Sequence, residues 1–190
     1  MAGIGHNGGP SMESGRLWRT HAWRQAQKAL MPEAIPMLVL RMRMRRAAEL
    51  GMTYRSYAKV RRYSGQDILG LLFSSNALRI FGSGGEIAAP EARQIEQVKS
   101  ATRLTLVHPP ATPQAVLAVN HVLAAADRAP HLSDSWAQMR DRVQGLIHSQ
   151  RLPASGVLII GDAPLEADWA AAGRAAGYLP SAEYFTHQAG

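Results

Sequence analysis

The chain has 190 residues and a mass of 20.6 kDa, room for one or two domains of about 100–200 residues each. Hydrophobic residues make up 46%, within the globular range of about 45–50%, which excludes disorder over the whole chain; the lack of cysteine excludes disulfides, thiolate metal sites and cysteine nucleophiles. The net charge of +7 is uneven: residues 1–62 hold 12 of the 21 basic groups and 3 of the 14 acids, a balance of +9, whereas residues 63–190 hold the other 9 and 11, a balance of −2.

In chain order, residues 1–15 carry five glycines and one proline among polar residues and read as a flexible tail. The stretch GIGHNGGP, Gly3 to Pro10, resembles the short GIGHNxGP opening of many otherwise unrelated alphaproteobacterial and phage-derived proteins. That resemblance implies lineage and no activity. Residues 16–30, RLWRTHAWRQAQKAL, suit a helix with Leu17, Trp18, His21 and Ala22 on one face. Residues 37–50, MLVLRMRMRRAAEL, are rich in strong helix formers and run to Gly51, a good stop. Thr53 is a suitable N-cap for a helix over 54–63 that ends at Ser64-Gly65. Residues 66–76, with Ile68, Leu69, Leu71, Leu72 and Phe73, are expected to form a third, apolar helix. LRIF, 78–81, is a candidate strand, and GSGGEIAAP, 82–90, is a loop and the expected domain boundary.

Beyond it, helices are expected over 91–99, 113–126, 134–149 and 165–176, and strands over 103–107 (RLTLV) and 156–160 (GVLII). Alternation of the two types points to parallel βαβ units. The fold class expected is an α-rich α/β protein: a tail (1–15), a basic helical half (16–81), and a small α/β half (82–190) with two or three short parallel strands. Trp18, Trp23, Trp136 and Trp169 lie on helical patterns, where core packing is the default. No window approaches the about 18 apolar residues of a membrane span. The opening residues lack a basic start followed by an apolar stretch, so no secretory signal or membrane partner is expected and the cytoplasm is the expected compartment.

One segment carries a recognisable pattern. Arg46 to Arg62, RAAELGMTYRSYAKVRR, resembles the helix-turn-helix of bacterial transcription regulators: Ala47 matches the small residue packed between the helices, Gly51 the turn glycine, and Thr53 the cap of the second helix. Tyr57 departs from the β-branched aliphatic usual at its place; it and Val60 are expected to face the core. The resemblance implies DNA binding. The first turn of a recognition helix reaches base edges, here Tyr54, Arg55 and Ser56, and a bidentate Arg55–guanine pair gives about 1–3 kcal/mol of discrimination. Lys59, Arg61 and Arg62 would meet phosphates, and Arg41, Arg43 and Arg45 the flanking backbone, adding affinity without sequence information. Two packed helices with solvated arginines are the plain alternative.

Other chemistry is weaker. GVLIIGDAPLEAD, 156–168, resembles the late acidic motif of haloacid-dehalogenase-type phosphatases, which hold magnesium between carboxylates; the family also needs an Asp-x-Asp nucleophile motif after an earlier strand, and none is present. A strand followed by a helix with an acidic first turn is the ordinary reading of the segment. The seven histidines are scattered and give no metal-ligand spacing. Gly82-Ser83-Gly84-Gly85 lacks the P-loop lysine. His108 and Asp162 each follow an expected strand, and ligands bind at the carboxyl ends of parallel strands. The leading expectation is a nucleic-acid-binding regulatory or accessory protein with no cofactor, metal or catalytic residue assigned. The alternatives are a small-ligand or enzymatic α/β domain using His108 and Asp162, and an interaction module for an acidic protein partner.

Overall fold

The computed structural model describes residues 35–185. The expected tail, the helix over 16–30, Trp18 and Trp23 lie outside them. Among the described residues are seven α-helices, one 3-10 turn and five strands, all five strands parallel. In order these are α1 (Met37–Glu49), α2 (Tyr54–Ser64), β1 (Gly70–Ser74), α3 (Ala89–Glu96), β2 (Thr102–Val107), α4 (Pro113–Val119), β3 (Ala125–Arg128), α5 (Trp136–Ser149), the 3-10 turn Ala154–Gly156, β4 (Val157–Gly161), α6 (Glu166–Gly173), β5 (Gly177–Pro180) and α7 (Ser181–Tyr184). The fold is α/β, with more strands than the two or three expected. No helix among the described residues is long and apolar enough to cross a membrane.

The strands lie in the order β3-β2-β1-β4-β5. The chain steps outward from β1 to β3, then returns to place β4 on the other side of β1. That reversal makes a topological switch point between β1 and β4, the position where doubly wound sheets open a crevice at their carboxyl ends.

β1 corrects the helix expected over 66–76. All five of its residues are buried, because a central parallel strand is covered on both faces and reads as an unbroken apolar run. Its side chains alternate between two cores: Leu71 and Phe73 enter one cluster with Leu158 and Ile160 of β4, and Leu72 enters the other with Ile159. The first cluster also takes Ala47 of α1, Tyr57 and Val60 of α2, Ile95 of α3, Val116 of α4 and Tyr184 of α7. The second takes Val143 and Ile147 of α5 and Trp169 of α6. The sheet is thus sandwiched between two helical layers.

Further corrections follow from chain stops. LRIF is a turn after β1, closed by bonds from Leu78 N to Ser74 O and Ile80 N to Ser75 O. The helix expected over 113–126 ends at Asn120, and 125–128 form edge strand β3. The helix expected over 165–176 ends where Arg174 turns left-handed, and β5 follows. The loop at 82–90 lies inside one compact unit that begins at Arg41, with β1 before the loop and its neighbours β2 and β4 after it. Trp169 is fully buried, whereas Trp136 opens α5 exposed to solvent.

Candidate functional site

The loops leaving β1, β2, β4 and β5 meet at the switch point. The centre is Glu166, whose side chain is 1% exposed. It is the first residue of α6, and its carboxylate turns back over the loop that precedes the helix. Oε2 accepts from the backbone N–H of Asp162 at 2.7 Å and of Ala163 at 3.1 Å. Oε1 accepts from Asn76 Nδ2 at 2.8 Å and lies 3.0 Å from His108 Nε2. Burial alone would push this carboxyl upward, but hydrogen bonds from His108, Ser74 and the amides of Asp162 and Ala163 outweigh it and hold the group below its usual value. A buried charge is tolerated when its lone pairs are met this fully.

The approach depends on Gly161: a Cβ there would stand 2.6 Å from Glu166 Oε2 and 2.7 Å from a Tyr178 ring carbon. The glycine ending β4 therefore lets the carboxylate lie across the strand.

His108 follows β2 and is held from three sides. Its backbone N–H donates to Ser75 Oγ at 3.0 Å, its ring stacks on Trp169 with centroids 5.5 Å apart, and Nε2 meets Glu166. With Glu166 anionic, Nε2 is the donor in this contact. Asp162 accepts from Ser181 Oγ at 2.6 Å and pairs with Arg79 NH1 at 3.4 Å. Alongside, a cavity of about 300 Å³ is lined by Arg79, Glu91, Ser181, Ala182 and Phe185. The buried Oε2 of Glu91 has no hydrogen-bond partner among the described residues. A cationic fork, a serine hydroxyl and an unmatched carboxylate oxygen thus border one recess.

His108 and Asp162, singled out in the sequence, are joined here through Glu166. Asn76, Arg79, Glu166 and Ser181 are not among the residues the sequence singles out, although Glu166 lies within the acidic segment 156–168. The signals available were the Asp162–Glu166 spacing and the polar Ser-Ser-Asn at the end of an apolar run. That run ends in hydroxyls and an amide, so the segment after β1 supplies no carboxylate for the acidic motif at 156–168. Among the described residues no group of three metal-ligating side chains is present.

The segment of residues 46–62 runs from the end of α1 through a turn into α2. Gly51 is left-handed at φ +69°, Met52 N bonds back to Ala47 O, and Thr53 Oγ1 caps the N–H of Ser56. Its side chains divide. Arg55, Lys59 and Arg62 are exposed on α2, and Arg41 and Arg45 on α1, while Arg43 is half-buried. Arg45 pairs with Glu49. Arg61 donates to Tyr57 Oη at 3.1 Å and stands 3.8 Å from Asp67. Ser56 is buried and donates to Glu183 at 2.8 Å, and Tyr54 packs on the first core cluster. Of the three residues expected to reach base edges, only Arg55 is fully presented to solvent. Arg46, not among the expected contacts, is consumed by Asp67, Glu49 and the carbonyls of Ile68 and Ser100.

Comparison with protein-family models, curated proteins and solved structures finds no match for this chain.

Proposed function

We propose that the chain binds a small polar ligand in the crevice between the carboxyl ends of β1 and β4, the reading first held as the alternative. The observation that carries it is the convergence of Asn76, Arg79, His108, Asp162, Glu166 and Ser181, from four separate loops, into one hydrogen-bonded cluster at the switch point. Structural capping needs fewer polar groups, and stability alone gives no reason to leave the Glu91 oxygen unmatched. The ligand class that fits is one with hydroxyl donors for Glu91 and Asp162 and an anionic group for Arg79: a sugar phosphate or a nucleotide. Thermal denaturation with ribose 5-phosphate, AMP, ADP, NADH and Mg²⁺ tests it. A ligand at about 100 times its Kd adds about 2.7 kcal/mol, which raises Tm by about 5 °C or more for a chain of this size. The shift is expected in the wild type and absent in R79A and D162N. No shift from the whole panel overturns the reading.

A second reading, binding of nucleic acid through α1 and α2, is favoured by one specific feature. Arg55, Lys59 and Arg62 recur at i, i+4 and i+7 on the exposed side of α2 and enter no ion pair among the described residues. Such a stripe follows a phosphate backbone and gives affinity rather than sequence choice. It predicts duplex binding whose log K falls with log salt by about 0.9 per phosphate neutralised. Replacing all three by Ala should abolish retention, and S56A should leave it unchanged. Salt-independent binding, or none at low salt, rejects it; retention of an acidic protein after nuclease treatment points to the interaction module instead.

A further inference from the structure

A second recess lies on the same edge of the sheet and plays no part in the site above. β2 and β3 end side by side, with Val107 opposite Arg128, and beyond them a cavity of about 290 Å³ opens. This is near the lower end of the about 300–1,000 Å³ range of small-molecule pockets. Its lining mixes two chemistries. Val107, Pro109, Pro110, Ala111 and Ala129 are apolar, and the two prolines bring no amide hydrogen to it. Arg128, His131 and Arg142 are basic, Thr112 adds a hydroxyl, and no carboxylate is among the lining residues.

Arg142 is held by one edge. Its Nε donates to Asp134 Oδ2 at 3.1 Å, and the same oxygen takes the backbone N–H of His131 at 2.9 Å. That grip orients the guanidinium and leaves its two terminal nitrogens for another acceptor. Arg128 enters no ion pair among the described residues, and its backbone N–H, not its side chain, donates to Asp127 Oδ1. Two guanidiniums lining one recess repel unless an anion lies between them, and a tetrahedral oxyanion offers each a pair of acceptors.

We propose that this cavity binds a small phosphomonoester, its phosphate between Arg128 and Arg142 and a compact apolar body against the proline wall. The site is independent of the switch-point crevice. Titration calorimetry of the full chain with phenyl phosphate tests it, with inorganic phosphate and benzyl alcohol as the anion-only and body-only controls. Phenyl phosphate is expected to bind one to one and more tightly than either control. R128A and R142A should each weaken it by about tenfold or more. R140A, which removes an exposed charge from the same helix outside the cavity, should leave it unchanged, as should D162N, which separates this result from the fate of the crevice. Because R142A also breaks the Asp134 contact, R128A carries the test if that variant misfolds. No saturable binding in the millimolar range, or binding equally strong in R128A and R142A, overturns the proposal.

Discussion

Glu166 sets the physical character of the switch point. Its carboxylate is satisfied by Asn76, His108, Ser74 and two amides, so removing it leaves those donors without their acceptor. E166A is expected to cost about 3 kcal/mol or more in urea denaturation. Its folded-state value is depressed, so Glu166 contributes stability above the ordinary carboxyl value of 4.5. That contribution is lost as pH falls through the lower folded-state value. Urea midpoints measured from about pH 3 to about pH 7 should fall less steeply on the acid side in E166Q than in the wild type; parallel curves would show that other carboxyls govern the acid limb. The same carboxylate holds His108 through its Nε2.

At the scale of elements, the two helices that cover the second core touch through a missing side chain. A Cβ on Gly173 at the end of α6 would stand 2.5 Å from Val143 Cγ1 on α5. G173A should destabilise by about 1–3 kcal/mol through overpacking. Adding V143A should recover part of that loss, a coupling that a double-mutant cycle reads directly; additive losses would place the cost in the backbone instead. Legibility also divides by element. Helices α1, α2 and α5 and strands β2 and β4 were readable because caps and stops punctuate them: Thr53 and Gly65 around α2, the Ser135 capping box before α5, Gly161 at the end of β4. β1 was misread because a strand buried on both faces has no alternation to separate it from a core helix. β3 (AADR) and β5 (GYLP) are four residues each, on the sheet's edges, too short and mixed to signal themselves. Missing them hid the strand order, and with it the switch point. His108 and Asp162 could be marked as strand-end residues, but nothing in their spacing said that Glu166 joins them.

Over the whole molecule, the charge asymmetry and the sheet tell different stories. The basic excess near the front of the chain is partly spent within the fold: Arg46 and Arg61 serve Asp67 and the chain's own carbonyls, and Arg45 serves Glu49. The basic residues of α1 and α2 turned to solvent are Arg41 and Arg45 on the first and Arg55, Lys59 and Arg62 on the second. The sheet, by contrast, gathers polar groups from segments far apart in sequence along its carboxyl edge. The most direct measurement is an amide NMR screen of small hydroxylated and phosphorylated fragments against the isotope-labelled chain. Binding fragments should shift the amides of Ser75, Asn76, Arg79, His108, Asp162, Ala163 and Ser181 together. A screen in which no fragment shifts these amides together would contradict a ligand site between β1 and β4.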